Sequence, residues 1–520
     1  MAKVNYSIPP WMAGRFNENG HIAILYNNLS GNAFFFDEDS ADVIGELLTF
    51  DRRETLDIEF IAKKTNIDES SIIEFFDELV QNNLLSNGII NDSDITNLRI
   101  HTYAERVSVL SDSTETNIPS YFDTVENDYR EIIIGQGIPM SAMFELTYNC
   151  NENCIHCYNQ GAARGNGDKP NRNTDELNLD DYKRLIDDLY ELGVVKLTLT
   201  GGDPLVKNEF WEILEYAYHK KFAIDIYTNG LALYHKKEVE RLLSFYPRSI
   251  GLSIYSAIPE IHDSITRING SYNKTIAVAE EISKAGVALY LKCPVMTLNA
   301  QSYYTVAELA LKLNAIPQFD VNITAGNDGD TSAPNHLRLD AKAMNLVLRD
   351  PLQPLYVGMD APNKGRKHLD PTSPICGAGT DLVNITPFGE VYPCNAFPLP
   401  CGNVNTDSFE NIWHNSESLK SVRQIVYQDT DQCGKNSRCH YCNRCIGQSY
   451  IETLNLYKNS SDNCFIANIR KDIAEDENHM NGDEMILIRE ELEKLTLDRK
   501  TDFSKEYIKD GVDFTWMLNF

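Results

Sequence analysis

Phe144-Glu-Leu-Thr-Tyr-Asn-Cys150-Asn-Glu-Asn-Cys154-Ile-His-Cys157-Tyr158 holds three of the chain's twelve cysteines within eight residues, directly after a run that reads as a strand near 142–148. The C-x3-C-x2-C spacing puts three thiolates on one tight loop. Thiolates this close repel one another and are normally kept together by a metal or cluster. Three suit three irons of a 4Fe–4S cluster and leave the fourth iron open for a chelating ligand. The plainer alternative is a zinc knuckle or a set of buried thiols.

Outward from this loop, strand and helix patterns alternate. Strands are expected near 142–148, 194–199, 222–227, 249–255, 287–296 and 319–324, with amphipathic segments such as Asp180–Leu192, Asn208–Tyr218 and Tyr272–Ala285 between them. Six such units over residues 139–345 predict an α/β fold, a partial (β/α)6 TIM-like barrel. In barrels of this kind the chemistry gathers at the carboxyl ends of the strands. The cysteine loop ends the first strand. Thr200-Gly-Gly-Asp-Pro204 ends the second, where Gly201 and Gly202 allow close backbone approach to a ligand and Asp203 offers a carboxylate to an ammonium group. Cys293, in Leu291-Lys-Cys-Pro294, reads as a buried strand thiol. Asp328 and Asp330 follow the last strand, facing a substrate or making an Asx turn.

Composition bounds the rest. A length of 520 residues suggests about three or four domains. Against 47 Lys and Arg stand 76 Asp and Glu, a net charge of −29, which disfavours phosphate-backbone binding and so nucleic acid. No apolar run is long enough for a membrane span, and no secretory signal is read at Met1-Ala-Lys-Val-Asn-Tyr6. Cysteine-rich and without an export signal, the chain is expected to be cytoplasmic, with no membrane partner and with metal rather than disulfides on its thiols.

Residues 1–110 read as a separate α+β domain, with short strands at Ile22–Tyr26 and Ala33–Phe36 and helices around 39–49, 57–64 and 69–84, the last capped by Asp68 or Ser70. Residues 1–130 carry 9 basic and 23 acidic side chains, a net of −14. Residues 111–138 read as a polar linker and 346–375 as a bridge. Residues 376–470 show little periodicity but eight cysteines, which predicts a domain held by metal rather than by a core. The tail, 471–520, sets Ile488, Leu492 and Leu495 on one helical face and ends in Phe514-Thr-Trp-Met-Leu-Asn-Phe520.

The run from Thr147 to Tyr158 resembles the radical S-adenosylmethionine superfamily. The resemblance implies that Cys150, Cys154 and Cys157 hold the catalytic cluster and that the methionine amine and carboxylate chelate its open iron. It further implies that His156 packs against the adenine, that Gly201, Gly202 and Asp203 (Asp for the usual Glu) hold the amine, and that Ser253 and Asn299 also contact the cofactor. Cys376-x12-Gly389-x4-Cys394, followed by Cys433-x5-Cys439-x2-Cys442-x2-Cys445 and Cys464, resembles the SPASM extension, which holds two auxiliary 4Fe–4S clusters. The second half departs from the pattern: Asn436 stands where a cysteine belongs. By analogy Cys376, Cys394 and Cys445 share one cluster and Cys433, Cys439, Cys442 and Cys464 the other, with Cys401 either a fourth ligand of the first or free. One or two structural zinc sites are the alternative.

Residues 1–110 resemble the winged-helix leader-recognition domains of peptide-modifying enzymes, which bind a peptide as an added strand. Together the resemblances imply a maturase that cross-links residues of a ribosomally made precursor peptide, through a thioether or a carbon–carbon bond. Its electrons would come from a flavodoxin or ferredoxin. A peptide epimerase and a protein-residue oxidase of the sulfatase-maturing kind are the alternatives, and an iron–sulfur or zinc scaffold without chemistry the reading from another class. Three clusters require about twelve irons per chain, four in each. Metal analysis of anaerobically reconstituted protein should approach that number, and zinc in its place would remove the cluster reading of residues 376–470.

Overall fold

The computed structural model describes residues 5–88, 95, 123–159, 176–350, 370–475 (apart from 432, 434 and 443) and 490–492. β1 (Tyr6–Ser7) pairs antiparallel with β5 (Ser86–Asn87) and closes the first unit on itself. Between them β2 (Met12–Asn17), β3 (Ile22–Asn27) and β4 (Asn32–Asp37) form an antiparallel sheet in that order. Alternation divides β3 between two faces. Ala23 and Leu25 face the helices Glu38–Leu47, Ile58–Thr65 and Glu69–Gln81, packing with Ile44, Ile61, Ile72 and Phe76. Asp68 caps the third helix, its carboxylate accepting from the Ser71 amide at 3.0 Å.

The other face turns inward. Ile22, Ile24 and Tyr26 pack on Tyr129 and Ile133 and on Met140, Val195 and Ala223, which sit at the amino ends of the large sheet. Part of the expected linker is therefore a helix, Asp123–Gly135, with Tyr129 and Ile133 four residues apart on its buried side. Residues 111–122 lie outside the described residues, as do 351–369 of the expected bridge.

Six parallel strands follow in chain order: β6 (Ser141–Glu145), β7 (Lys196–Thr200), β8 (Ala223–Thr228), β9 (Ser249–Ser253), β10 (Ala288–Pro294) and β11 (Ile316–Asp320). The connecting helices announce themselves in the sequence. Leu179–Leu192 opens with a capping box between Asn178 and Asp181 and stops at Gly193, at φ 99°. β11 ends earlier than expected: the last registered pair is Pro294 with Asp320, and the Val295 amide makes one further bond, to the Asp320 carbonyl at 2.7 Å.

The sheet does not end at β6. β12 (Leu382–Ile385) lies parallel beside it, and β13 (Glu390–Tyr392) and β14 (Gly402–Asn403) add antiparallel, making nine strands. This corrects the expectation that the cysteine-rich region has no core of its own making. Val383, Ile385, Val391, Phe409 and Trp413 share one apolar cluster with Phe144 and Leu146 of the barrel. A four-residue strand between Cys376 and Gly389 is too short for its period to stand out. Of the predicted tail face only Leu492 is described, and it is buried in the same core; Ile488, Leu495 and 514–520 lie outside the described residues. No helix among the described residues is long and apolar enough to cross a membrane.

Arg15 secures the contact between the first unit and the barrel. Its guanidinium is buried between the rings of Tyr190 and Phe222, and it donates to the Val194 carbonyl at 2.9 Å and the Lys220 carbonyl at 3.3 Å. Arg15→Ala leaves both carbonyls unpaired and should destabilise the protein by about 2–4 kcal/mol, read as a lower urea midpoint.

Candidate active site

At the carboxyl ends of β6 to β11 lies a cavity of about 800 Å³, lined by Cys150, Cys154 and Cys157 on one side and by Tyr227, Ser253 and Lys292 on the other. The cysteine loop leaves β6 and is held by backbone bonds on two sides. The Asn153 and Ile155 amides donate to the Thr266 and Ile265 carbonyls, each at 3.0 Å. The Gly202 amide donates to the Thr147 carbonyl at 2.7 Å, and the Asp203 amide to the Asn149 carbonyl at 3.0 Å.

The glycines therefore admit a partner other than the one the sequence suggests. A Cβ at Gly201 would stand 2.3 Å from the Thr147 oxygen, and one at Gly202 would stand 2.3 Å from the Asn149 oxygen. What approaches closely is the cysteine loop's own backbone. Gly201, at φ 145°, also lies in a region other residues avoid.

Asp203 does not reach the cavity. Its carboxylate is fully buried, accepting from the Thr228 hydroxyl at 2.6 Å, the Asn229 amide at 2.9 Å and the Leu205 amide at 3.0 Å. Burial raises its pKa above the ordinary carboxylate value. These bonds pin the Gly-Gly turn to the end of β8. Asn299 is tied into the protein in the same way. Fully buried, it donates to the Tyr255 and Pro294 carbonyls, each at 2.9 Å, and accepts from the Met296 amide at 2.8 Å. Every polar atom of its side chain is engaged in fastening β9 to β10.

Ser253 and His156 do line the cavity. His156 sets its ring edge against Tyr255 with centroids 4.9 Å apart, and burial pushes its pKa down to about 4, so it is neutral. Cys293 donates to the Tyr255 carbonyl at 3.5 Å, as a structural thiol does. Asp328 and Asp330 make the Asx turn: Asp328 accepts from the Asp330 amide at 3.1 Å, and Asp330 from the Ser332 amide at 2.9 Å.

Several site residues had no signal in the sequence. Glu152 accepts from the Cys154 thiol at 3.3 Å, Tyr255 brings its hydroxyl to 3.6 Å from the same sulfur, and Asn229 donates to Cys150 at 3.6 Å. Lys292 lies over the Tyr227 ring at 3.2 Å, in space left open by Gly251, and burial lowers its pKa to about 8. These partners come from four different strands or loops, and no local spacing links them.

The auxiliary cysteines fall into groups. Cys433, Cys439, Cys442 and Cys464 surround a second cavity of about 280 Å³, with Arg438 and Arg444 on its wall. Cys394 and Cys445 each lie close enough to Cys376 for its charge to act on them. Cys401 stands apart from this set: it donates to the Leu399 carbonyl at 3.3 Å and has Arg423 as its charged neighbour.

The site suits a cationic cluster. Burial pushes the Cys150 thiol up to about 12 and holds Cys154 well above the ordinary thiol value, so the thiolates needed as ligands form only with a compensating positive charge such as iron. The buried Nδ1 of His156 and Oε1 of Glu152 have no hydrogen-bond partner and face the same space.

Known proteins agree with this geometry. Residues 144–310 match the radical SAM superfamily, and residues 376–446 match the SPASM iron–sulfur cluster-binding domain. Over 383 residues the chain is 26% identical to the antilisterial bacteriocin subtilosin biosynthesis protein AlbA of Bacillus subtilis, which covers 68% of this chain and 81% of that protein. Over 338 residues it is 27% identical to the AdoMet-dependent heme synthase of Methanosarcina barkeri, covering 61% of this chain and 93% of that one. In fold it is similar to Streptococcus suis SuiB bound to the precursor peptide SuiA, at 14% identity and a TM-score of 0.53, over 88% of this chain and 99% of that one.

The chain thus carries a radical SAM domain over residues 144–310 and a SPASM domain over residues 376–446. It is an enzyme that uses S-adenosylmethionine, a 4Fe–4S cluster and auxiliary iron–sulfur clusters.

The backbone clamp predicts a defect in loading. Gly202→Ala drives a methyl group into the Asn149 carbonyl, so the variant should lose about four irons, those of the first cluster. Asp203→Ala should lose the same irons in part, whereas a pure amine-binding role would leave the iron count intact.

Proposed function

We propose that this enzyme matures a ribosomally made precursor peptide by cross-linking its residues, with the three cysteines Cys150, Cys154 and Cys157 holding the catalytic cluster. Bound there, cluster and S-adenosylmethionine supply a 5′-deoxyadenosyl radical that abstracts hydrogen from an unactivated carbon. The protein's own residues prepare the space. Asn229 and Tyr255 offer hydrogen bonds to the Cys150 and Cys154 sulfurs, His156 and Ser253 line the cavity and would contact the cofactor's adenine and ribose, and the Gly-Gly turn holds the loop in place. The helix Ser461–Glu475 places Arg470 and Ile473 on the cavity wall, which limits water around a reactive radical. Cys376, Cys394 and Cys445 would hold one auxiliary cluster, and Cys433, Cys439, Cys442 and Cys464 the other, to take up the second electron.

The observation that carries a peptide substrate is the first unit. Among the described residues β4 pairs only with β3, so its outer edge is open for an added strand. The helix Glu69–Gln81 flanks that strand, with Phe36 and Phe75 edge to face at 5.8 Å, and exposes Glu74, Asp77 and Glu78. A leader peptide rich in Lys or Arg fits such a groove. The likeness to the subtilosin biosynthesis protein supports a peptide substrate and a thioether product; the likeness to the heme synthase supports the chemistry without the peptide.

Deleting residues 1–110 would bare Met140, Val195 and Ala223, so point changes test the reading more cleanly. Phe34→Pro in β4 should weaken binding of the precursor encoded beside the gene by at least tenfold, and binding should also weaken with rising salt. Reductive cleavage of S-adenosylmethionine without peptide should persist in that variant and vanish in Cys154→Ala. Unchanged modification of the precursor by the Phe34→Pro enzyme would set the leader groove aside.

A further inference from the structure

Two loops that belong to different cysteine groups meet through one side chain. Asn395, next to Cys394, accepts from the Cys394 thiol at Oδ1, 3.2 Å away, and donates from Nδ2 to the Tyr158 hydroxyl at 3.0 Å. Tyr158 directly follows Cys157 and lines the main cavity together with Asn395. The strut is anchored at both ends. The Asn327 amide donates to the Tyr158 carbonyl at 2.9 Å. On the other side Gly447, where a Cβ would meet the Ala396 oxygen at 2.1 Å, lets the 394–397 turn press onto the helix Ile446–Thr453.

A thiolate ligand carries no proton, so it cannot donate to Oδ1. An amide between an anionic sulfur and a hydroxyl is best satisfied when reversed, with Nδ2 donating to sulfur and Oδ1 accepting from the Tyr158 hydroxyl. Tyr158 can serve in either direction, because a phenol both donates and accepts. The pair is thus built to deliver an N–H to the Cys394 sulfur once that sulfur is ionised.

We propose that Asn395, oriented by Tyr158, is a positioning residue that sets the reduction potential of the auxiliary cluster held by Cys394, and that it braces that cluster's loop against the loop of the catalytic cluster. This rests on the reading of Cys394 as a ligand. A hydrogen bond to a ligating sulfur favours the more negative, reduced cluster and so raises its potential. The residue acts on the ligand and touches no substrate.

The test is an EPR-monitored redox titration of the reconstituted full-length enzyme, with iron content measured on each sample. Asn395→Asp keeps the shape but cannot donate to sulfur and adds negative charge. It should retain about twelve irons, while one of the two signals that do not respond to S-adenosylmethionine moves to a more negative midpoint. Tyr158→Phe removes only the hydroxyl and should move the same midpoint in the same direction by less, leaving the S-adenosylmethionine-responsive signal in place. Full iron with every midpoint at the wild-type value in both variants overturns the proposal. If Asn395→Asp loses iron, Tyr158→Phe, which bonds to no sulfur, decides the matter alone. Cys394→Ala separates the two claims: loss of about four irons upholds the ligand reading, and full retention removes it together with this proposal.

Discussion

A single buried carboxylate ties together the parts of this enzyme that have to stay in register. Glu145, the last residue of β6, is fully buried, and no cation acts on it among the described residues. It accepts hydrogen bonds from the Asn159 amide at 3.0 Å, the Asn384 amide at 3.0 Å and the Tyr148 hydroxyl at 3.2 Å. Those three donors come from the far end of the cysteine loop, from β12 of the cysteine-rich region and from the near end of the loop. A buried charge without its hydrogen bonds is costly, so the three segments are held to one geometry. The same group sits near enough to Cys394 for its charge to act on that thiol. The cysteine loop and the auxiliary region are thus registered against one strand end.

Around that point the molecule relies on close backbone contact more than on side-chain ligation. The Gly-Gly turn after β7 exists so that two backbones can approach within hydrogen-bonding distance, and the Asp203 carboxylate holds the turn from behind. Two buried atoms that face the cavity, Nδ1 of His156 and Oε1 of Glu152, are left without a hydrogen bond among the described residues. The division is physical. A polar atom with all its hydrogen bonds made inside the protein has little left to offer a ligand, whereas a buried one without a partner favours whatever supplies it.

The outer units contribute by packing. The N-terminal sheet covers the amino ends of the barrel strands while the nine-stranded sheet carries the cysteine-rich region on its other edge. The cavity lies at the carboxyl ends of the strands, lined by Cys150, Cys154 and Cys157 and, from the cysteine-rich region, by Asn395 and Ala396. A peptide bound at β4 would have to reach around the barrel to that mouth, which makes the leader a tether and leaves chemistry to the core segment.

How far the sequence reached can be judged residue by residue. Periods of two and of about 3.6 marked the six barrel strands and several of their helices, because each element buries one face and a face has a period. The cysteine spacing marked out the loop after β6, and the SPASM resemblance set together Cys433, Cys439, Cys442 and Cys464, which surround one cavity. What the sequence could not assign was direction. Asp203 and Asn299 occupy the positions a cofactor contact would take, yet their side chains turn into the protein, a choice made by Thr228, Asn229, Tyr255 and Pro294 from other strands. Cys401 lies among the auxiliary cysteines in sequence, and the turn between β13 and β14 gives it Arg423 as its charged neighbour. Glu145 and Asn395 drew no notice, since a lone Glu or Asn has no period and no spacing. Only the tertiary fold decided which polar groups meet, because hydrogen bonds are satisfied across strands and loops far apart in the chain.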